Sequence, residues 1–361
     1  MRSNKQHIVL ISLFLILLIT PTFIQITGIE KSFTDNENRT KKEFPKLDKK
    51  HPLSFLRNFK SYYKDNFGLR NTLANSYLSF KNEVLNESPL PSKAINGKND
   101  FLFLGNSSSN VINESLGFSF FTKSELNKIK NNIIERKKWL AKNKIKLYIA
   151  IAPNKHVVYQ ENLPFHYPKK ETRKDQLIAF IKSEINFNII DLGKQFNVKK
   201  QSNRLYKKLD SHWNDLGAFY ATQTLVSVIK KDFDIEELKL VDYKIDSIKK
   251  NNGDISKMIN YKNDVNVIKL TPKFKMEVVD LDLPKYYNEQ SISESRHKNK
   301  SKNFKVLLFR DSFSSALKPF INNTFGETTF IWSHKFDKEL ILKEKPDMVI
   351  MEYVERYLEF M

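Results

Sequence analysis

Hydrophobic and polar positions divide this chain into three regimes. Residues 8–29, IVLISLFLILLITPTFIQITGI, carry no charge, and an uncharged run of that length meets the about 20 apolar residues that a membrane-spanning helix needs. The stretch that follows, EKSFTDNENRTKKEFPKLDKKHP, is polar and without sustained periodicity, which predicts a connector. LSFLRNFKSYYKDNFGLRNTLANSYLSFKNEVL then sets Phe, Leu and Tyr at helical spacings broken near Gly68, the pattern of two amphipathic helices. PLPSKAINGKNDFLFLG changes to turn residues and a short apolar strand over 101–104.

The third regime alternates. A charged helix is predicted over 126–143, with Trp139 and Leu140 on its apolar face, followed by the buried strand KLYIAIA, which ends in Pro153-Asn154. A helix over 172–185, a strand over 187–191 and a helix over 215–230 continue the rhythm. Residues 232–303 are more polar and read as loops and an excursion from the sheet, with a turn at Asn252-Gly253-Asp254. KVLLFRDS, 305–312, is a strand running straight into a turn, and DMVIME, 347–352, is another apolar strand. Continuous apolar strands alternating with helices predict a mostly parallel sheet with helices on both faces. No internal repeat is present.

Composition narrows the partners. The 361 residues are 40% hydrophobic, enough for a core, so wholesale disorder is excluded. The formal net charge of +20 is spread as short Lys clusters. It is either a solvated basic surface or a face for an anionic polymer or membrane. No zinc-finger spacing or aromatic RNA-binding pattern accompanies it, and no nucleic-acid partner is expected. Zero cysteines exclude disulfides, cysteine nucleophiles and thiolate metal sites. No cofactor and no metal are expected. Arg2 and Lys5 hold the lead, 1–7, in the cytoplasm and send the rest across the membrane. A cleaved signal peptide is the competing reading, but its apolar region is usually about 7–15 residues long and ends at a small-residue site. Thr20-Pro21-Thr22 and Thr27-Gly28 are poor sites of that kind, so an uncleaved anchor over 8–29 is expected. A connector with helices over 30–95 and an α/β domain over 96–361 complete the division.

In open α/β sheets the active crevice lies beyond the carboxyl ends of the strands. KLYIAIAPN, the chain entering LDSHW, and VLLFRDSF all finish there. If they converge, Ser312, His212 and Asp210 supply a nucleophile, a base and an orienting carboxylate. A serine hydroxyl is a poor nucleophile until a base takes its proton, and an imidazole can take that proton and return it. Residues i and i+2 point the same way on extended backbone but diverge by about 200° on a helix. The Asp210–His212 pair must therefore precede the helix over 215–230, for which Asn214 or Asp215 is a natural N-cap. The bland alternative stays open: Asp210 forms a turn and His212 is a structural hydrogen-bonder.

The residues around this pair carry a family resemblance. Asp210-Ser211-His212-Trp213-Asn214 resembles the D-x-H-W-N signature of the polysaccharide O-acetyltransferase family typified by AlgJ and AlgX of alginate biosynthesis. Arg310-Asp311-Ser312-Phe313-Ser314 resembles its serine block. Glu37-Asn38-Arg39 with Phe44-Pro45, Asp65 to Arg70, Asn96-Gly97-Lys98 with Phe101, Asn252-Gly253-Asp254, and Pro346-Asp347 with Glu352, Glu355 and Arg356 follow the same order. One departure is Arg310, where ordinary SGNH enzymes have glycine before Asp-Ser. The resemblance implies an SGNH-hydrolase-like three-layer α/β/α sandwich preceded by one transmembrane helix. It implies an O-acetyltransferase acting on an exported polysaccharide through Asp210, His212 and Ser312 and an acetyl-serine. It further implies an acetyl donor delivered by an MBOAT-type membrane acyltransferase, and a place at the bacterial inner membrane with the domain outside the cytoplasm. An esterase with the same triad and a non-catalytic anchored scaffold are the alternatives. For the oxyanion, the Ser312 N–H and the Asn154 side chain are candidates, although Asn154 is equally a turn residue after Pro153. Arg310 binds substrate or the oxyanion, or pairs with Asp311, and Trp213 either stacks on a sugar or packs in the core. His156 and His334 read as structural or surface residues.

Overall fold

Side-chain alternation along the central strands sets the layers. The computed structural model describes residues 2–28, 42–47, 52–85, 87–168, 170–282 and 293–361. The backbone divides into two compact units, Met1–Pro89 with Ile259–Tyr261, and Leu90–Met258 with Lys262–Met361.

In the first unit the apolar run forms the helix Arg2–Thr27. Within its Lys5–Thr27 portion an 18-residue window has mean hydropathy 2.5 and no buried residues, and the segment is long and apolar enough to cross a membrane. Two helices do follow, Pro52–Asn66, which is amphipathic, and Arg70–Ser79, which has no distinct apolar face. The first carries a row of rings, Phe55 on Phe59, Phe59 on Tyr63 and Tyr63 on Phe67, at helical spacing. They separate at Gly68, whose N–H reaches the Pro21 carbonyl at 3.1 Å and where a Cβ would collide with that carbonyl and with the Gln25 nitrogen. Glu37-Asn38-Arg39 lie outside the described residues.

In the second unit, β1 (Ala94–Asn96) and β2 (Leu102–Leu104) form a small antiparallel pair. The main sheet is built from β3 (Lys146–Ala152) and β4 (Ile190–Asp191). After the separate hairpin β5 (Tyr243–Lys250) and β6 (Val265–Pro272), it gains β7 (Val278–Leu281) and β8 (Ser293–Asn299). It is completed by β9 (Lys305–Arg310), β10 (Glu327–Trp332) and β11 (Met348–Val354). The order is β4-β3-β11-β9-β10-β8-β7. The first five strands run parallel, and β8 and β7 add an antiparallel edge.

Val306 and Leu308 of β9 enter one core with the helices Asp215–Ile229 and Lys318–Thr324, while Leu307 and Phe309 enter the other with Lys123–Lys142 and Arg173–Ile185. Met348 and Ile350 against Val349 and Met351 repeat the alternation in β11, as the period of two requires. The result is the three-layer α/β/α sandwich with a mixed, mostly parallel sheet. Helix starts are locally encoded: Thr122 with Glu125 and Thr172 with Asp175 make capping boxes, and the Asn214 side chain accepts from Gly217 N–H at 3.0 Å.

The largest difference from the sequence reading is 232–303, which holds two hairpins where loops were expected. The exposed positions are mostly polar, Lys244, Ser247, Lys249 and Lys250 in β5 and Asn266, Lys269 and Thr271 in β6, so pairing rather than apolar content makes these strands. β10 was also unread; its ETTFIW is buried from Thr328 to Ile331 by neighbours on both sides.

Candidate active site

The turn after β9 is built by Asp311. Its Oδ1 accepts from Phe313 N–H at 2.9 Å and its Oδ2 from Val354 N–H at 2.7 Å. This ties the start of the 3₁₀ turn Ser312–Ala316 to the end of β11. Behind it, Glu352 accepts from Asp311 N–H at 3.1 Å and from the Ser314 hydroxyl at 2.9 Å. Burial, reinforced by the charge of Asp311, pushes the Glu352 carboxyl well above the usual range and favours its neutral form. Asp311 itself stays below its ordinary pKa: burial opposes this, but His334, the two N–H groups and Arg356 outweigh it. Ser312, partly exposed, is thus presented at the carboxyl end of the sheet.

His212 arrives on a second turn. Tyr206 and Trp213 form an isolated antiparallel bridge, with Asn214 N–H to Leu205 O at 2.8 Å and Lys207 N–H to His212 O at 3.1 Å. The residues between loop out ahead of the Asp215–Ile229 helix. His212 Nε2 stands 2.7 Å from Ser312 Oγ, and Nδ1 stands 2.7 Å from Asp210 Oδ1, which also accepts the His212 N–H at 2.9 Å. With Nδ1 donating to the carboxylate, Nε2 is free to accept from the serine. Burial alone would raise the Asp210 pKa; the hydrogen bond from His212, the Lys207 charge and the imidazole outweigh it and hold the group well below the carboxylate range.

A second carboxylate joins the pair. Asp254 Oδ2 lies 3.4 Å from His212 Nδ1, and Asp254 accepts from both the Ser211 N–H, at 2.7 Å, and the Ser211 hydroxyl. Its own N–H donates to Asp210 Oδ2 at 3.2 Å. The approach requires Gly253, because a Cβ there would meet Asp210 Cβ at 2.7 Å. Asp210, His212 and Asp254 offer three possible metal-ligating atoms within 4.8 Å of one another, but these atoms are already engaged with one another, with Ser211 and with the His212 N–H.

Lys155 holds this loop from beneath. It is buried, and its Nζ lies 2.7–3.0 Å from the carbonyls of Leu102, Lys207, Lys208 and Asp210. The rings of Phe101 and Phe103 face it at 5.0 and 5.3 Å. Four acceptors outnumber the three protons of an ammonium. Burial lowers its pKa to about 7 against the attraction of Asp254 and Asp210.

Asp210, His212 and Ser312 are therefore brought together, whereas the accessory residues are placed otherwise than the substrate-contact readings expected. The Asn154 side-chain N–H, a candidate for the oxyanion, is given to Ser115 Oγ at 3.1 Å, and its carbonyl oxygen accepts from Arg356 at 3.1 Å. It links elements inside the core. Trp213 is 0% exposed, with its indole N–H on the Phe313 carbonyl at 3.1 Å and its ring edge-on to Phe313, so it packs and has no face for a sugar. Arg310 is buried; it donates to the Asp311 carbonyl at 2.7 Å and to Ser315 Oγ at 2.9 Å. His156 is structural: its Nε2 is 2.9 Å from the Leu104 carbonyl, and burial lowers its pKa to about 4. His334 stacks on Tyr353 and Phe360 and reaches Asp311 at 3.8 Å. Sequence reasoning missed Lys155 entirely and assigned Asp254 no part beyond its turn. The sequence neighbourhood of the NGD turn was the one signal for Asp254.

Known proteins agree with this architecture. Residues 94–322 match the family described as "SGNH hydrolase-like domain, acetyltransferase AlgX". PatB1 of Bacillus cereus is 19% identical, with 73% of this chain and 97% of that chain covered and a TM-score of 0.54. A DHHW family protein from Eubacterium siraeum is 15% identical over 73% of this chain and 94% of that chain, with a TM-score of 0.50. The O-acetyltransferase domain of Pseudomonas putida AlgJ is 17% identical over 74% and 93%, with a TM-score of 0.46. No curated protein sequence matches the chain. With more than half its length matched, the chain belongs to the AlgX-type SGNH hydrolase-like acetyltransferase family.

Proposed function

We propose that this protein is a membrane-anchored O-acetyltransferase that moves an acetyl group onto a polysaccharide hydroxyl through an acetyl-serine on Ser312. The observation that carries the reading is the continuous chain from Asp210 through His212 to Ser312, each link 2.7 Å, at a partly exposed turn. His212 Nε2 takes the Ser312 proton as Oγ bonds to the acetyl carbonyl carbon. The resulting oxyanion faces the Ser312 N–H, which opens the 3₁₀ turn and has no acceptor among the described residues. Collapse breaks the bond to the donor's leaving group, which carries off the proton held by His212. A sugar hydroxyl then gives its proton to His212 and attacks the acetyl-serine; Oγ leaves and recovers that proton. Asp210 and Asp254 face the imidazolium formed in each half. Residues 96–361 are the catalytic domain in this reading. The apolar helix is an uncleaved inner-membrane anchor, the domain is extracytoplasmic, and an MBOAT-type acyltransferase delivers the acetyl group.

The test is intact-mass spectrometry of the full chain in detergent after exposure to p-nitrophenyl acetate. Wild type is expected to gain one acetyl group and Ser312→Ala none. Faster loss of the adduct to an oligosaccharide than to water marks a transferase, and the reverse marks an esterase. No adduct with either the ester or the membrane partner present would leave a scaffold and overturn the acetyl-serine.

A further inference from the structure

Trp213 is sealed in the core, yet another tryptophan meets the requirements for contact with a sugar. Trp332 is the last residue of β10 and is 47% exposed, while the two residues before it, Phe330 and Ile331, are buried. It pairs in parallel register with Arg310 of β9. Phe330 and Leu308, two residues earlier in each strand, enter the same core as Trp213 and Phe313. By the period of two, Trp332 and Arg310 project toward the face on which the His212 loop packs. The guanidinium lies 4.3 Å from the Trp332 ring centroid and is itself fixed to the Asp311 carbonyl and the Ser315 hydroxyl, both part of the nucleophile turn. Neighbouring strands lie about 5 Å apart and each residue advances about 3.3 Å. Ser312 is therefore reached about 5 Å sideways and roughly 7 Å along, a distance one or two sugar rings span.

We infer that Trp332, backed by Arg310, is the platform on which a pyranose ring of the acceptor stacks, placing a hydroxyl of that ring or its neighbour at Ser312. An indole offers a flat apolar face at low conformational cost, matching the C–H face of a pyranose. A guanidinium holding the ring in place pre-pays part of its ordering entropy. Lys318 adds positive charge nearby: burial and the Arg310 charge lower its pKa to about 8, and its Nζ lies 5.2 Å over Phe330. The departure from glycine at position 310 thus has a use, since the guanidinium at that position packs on the indole of the neighbouring strand. Trp332 is the specificity residue and Arg310 its positioning residue.

The inference rests on the acetyl-transfer reading, so binding is measured apart from turnover. Full-length Ser312→Ala in detergent is titrated calorimetrically with cellohexaose and with an oligouronate of equal length. Saturable binding of at least one is expected, weakened about tenfold or more by adding Trp332→Ala and restored to within a few-fold by Trp332→Phe. In the Ser312 background intact, Trp332→Ala is expected to raise the acceptor KM by a similar factor. No binding of either oligosaccharide, or equal binding by the Trp332→Ala protein with an unchanged melting profile, overturns the platform. Absence of an acetyl adduct on wild type, with binding still dependent on Trp332, overturns the acetyl-serine reading instead.

Discussion

At the scale of single residues, His212 sits between two carboxylates of unequal standing. Asp210 touches Nδ1 at 2.7 Å and Asp254 at 3.4 Å. Asp210→Asn leaves an amide that cannot hold the same tautomer, and a loss of acetylation rate on the order of 10³–10⁴ is expected by analogy with serine triads. Asp254→Asn keeps the Asp210 bond, so a loss of roughly tenfold is expected. Equal losses in the two variants, measured as adduct formation against pH, would contradict this ranking. Lys155 gives a stability prediction with a definite sign. Its native pKa is about 7, below the about 10.4 of a lysine in the unfolded chain. Between those values the unfolded state binds more protons, so the contribution of Lys155 to stability rises with pH. The melting temperature of wild type minus that of Lys155→Met should climb from pH 7 to pH 9; a flat or falling difference would show that the buried amine keeps its proton.

At the scale of elements, the site is two turns clamped together. The Asp311 turn is fixed to β11, and the Asp210–His212 loop is fixed by Lys155 and by the NGD turn ahead of Asp254–Met258. Gly253→Ala pushes a Cβ into Asp210, at a cost of about 1–3 kcal/mol if the loop gives way. The expected outcome is a modest fall in melting temperature with a larger fall in acylation rate; the opposite ratio would mean that the turn serves folding alone. The central strands, the capped helices and the Asp210–His212 spacing were legible because each is written within a few residues. The hairpins of 232–303 were not, because their short, half-exposed and largely polar strands look like loops until a partner strand pairs with them.

At the scale of the whole molecule, an apolar N-terminal helix precedes an α/β unit carrying part of a +20 formal charge. If the helix is retained as an anchor, the protein expressed in bacteria should stay in the membrane pellet after alkaline carbonate and salt washes, and should lose that behaviour when residues 8–29 are deleted. Release of the full-length chain by salt alone would mean that its basic surface, not the helix, holds it there.

The sequence by itself determined the alternating apolar strands and helices, the long helix with its uncharged run, a serine just past a strand and an aspartate–histidine pair ahead of a helix, since periodicity, span length and local spacing are properties of neighbours along the chain. Only the tertiary structure decided which polar residues share the site. Asp254, 44 residues after Asp210, donates its N–H to that aspartate, and Lys155 reaches carbonyls more than 50 residues away in both directions. It also set Trp213 and Trp332 apart, closing Trp213 inside the core and leaving Trp332 exposed beside Arg310. Burial and long-range hydrogen bonds are set by which elements pack together, and that information is spread over the whole chain.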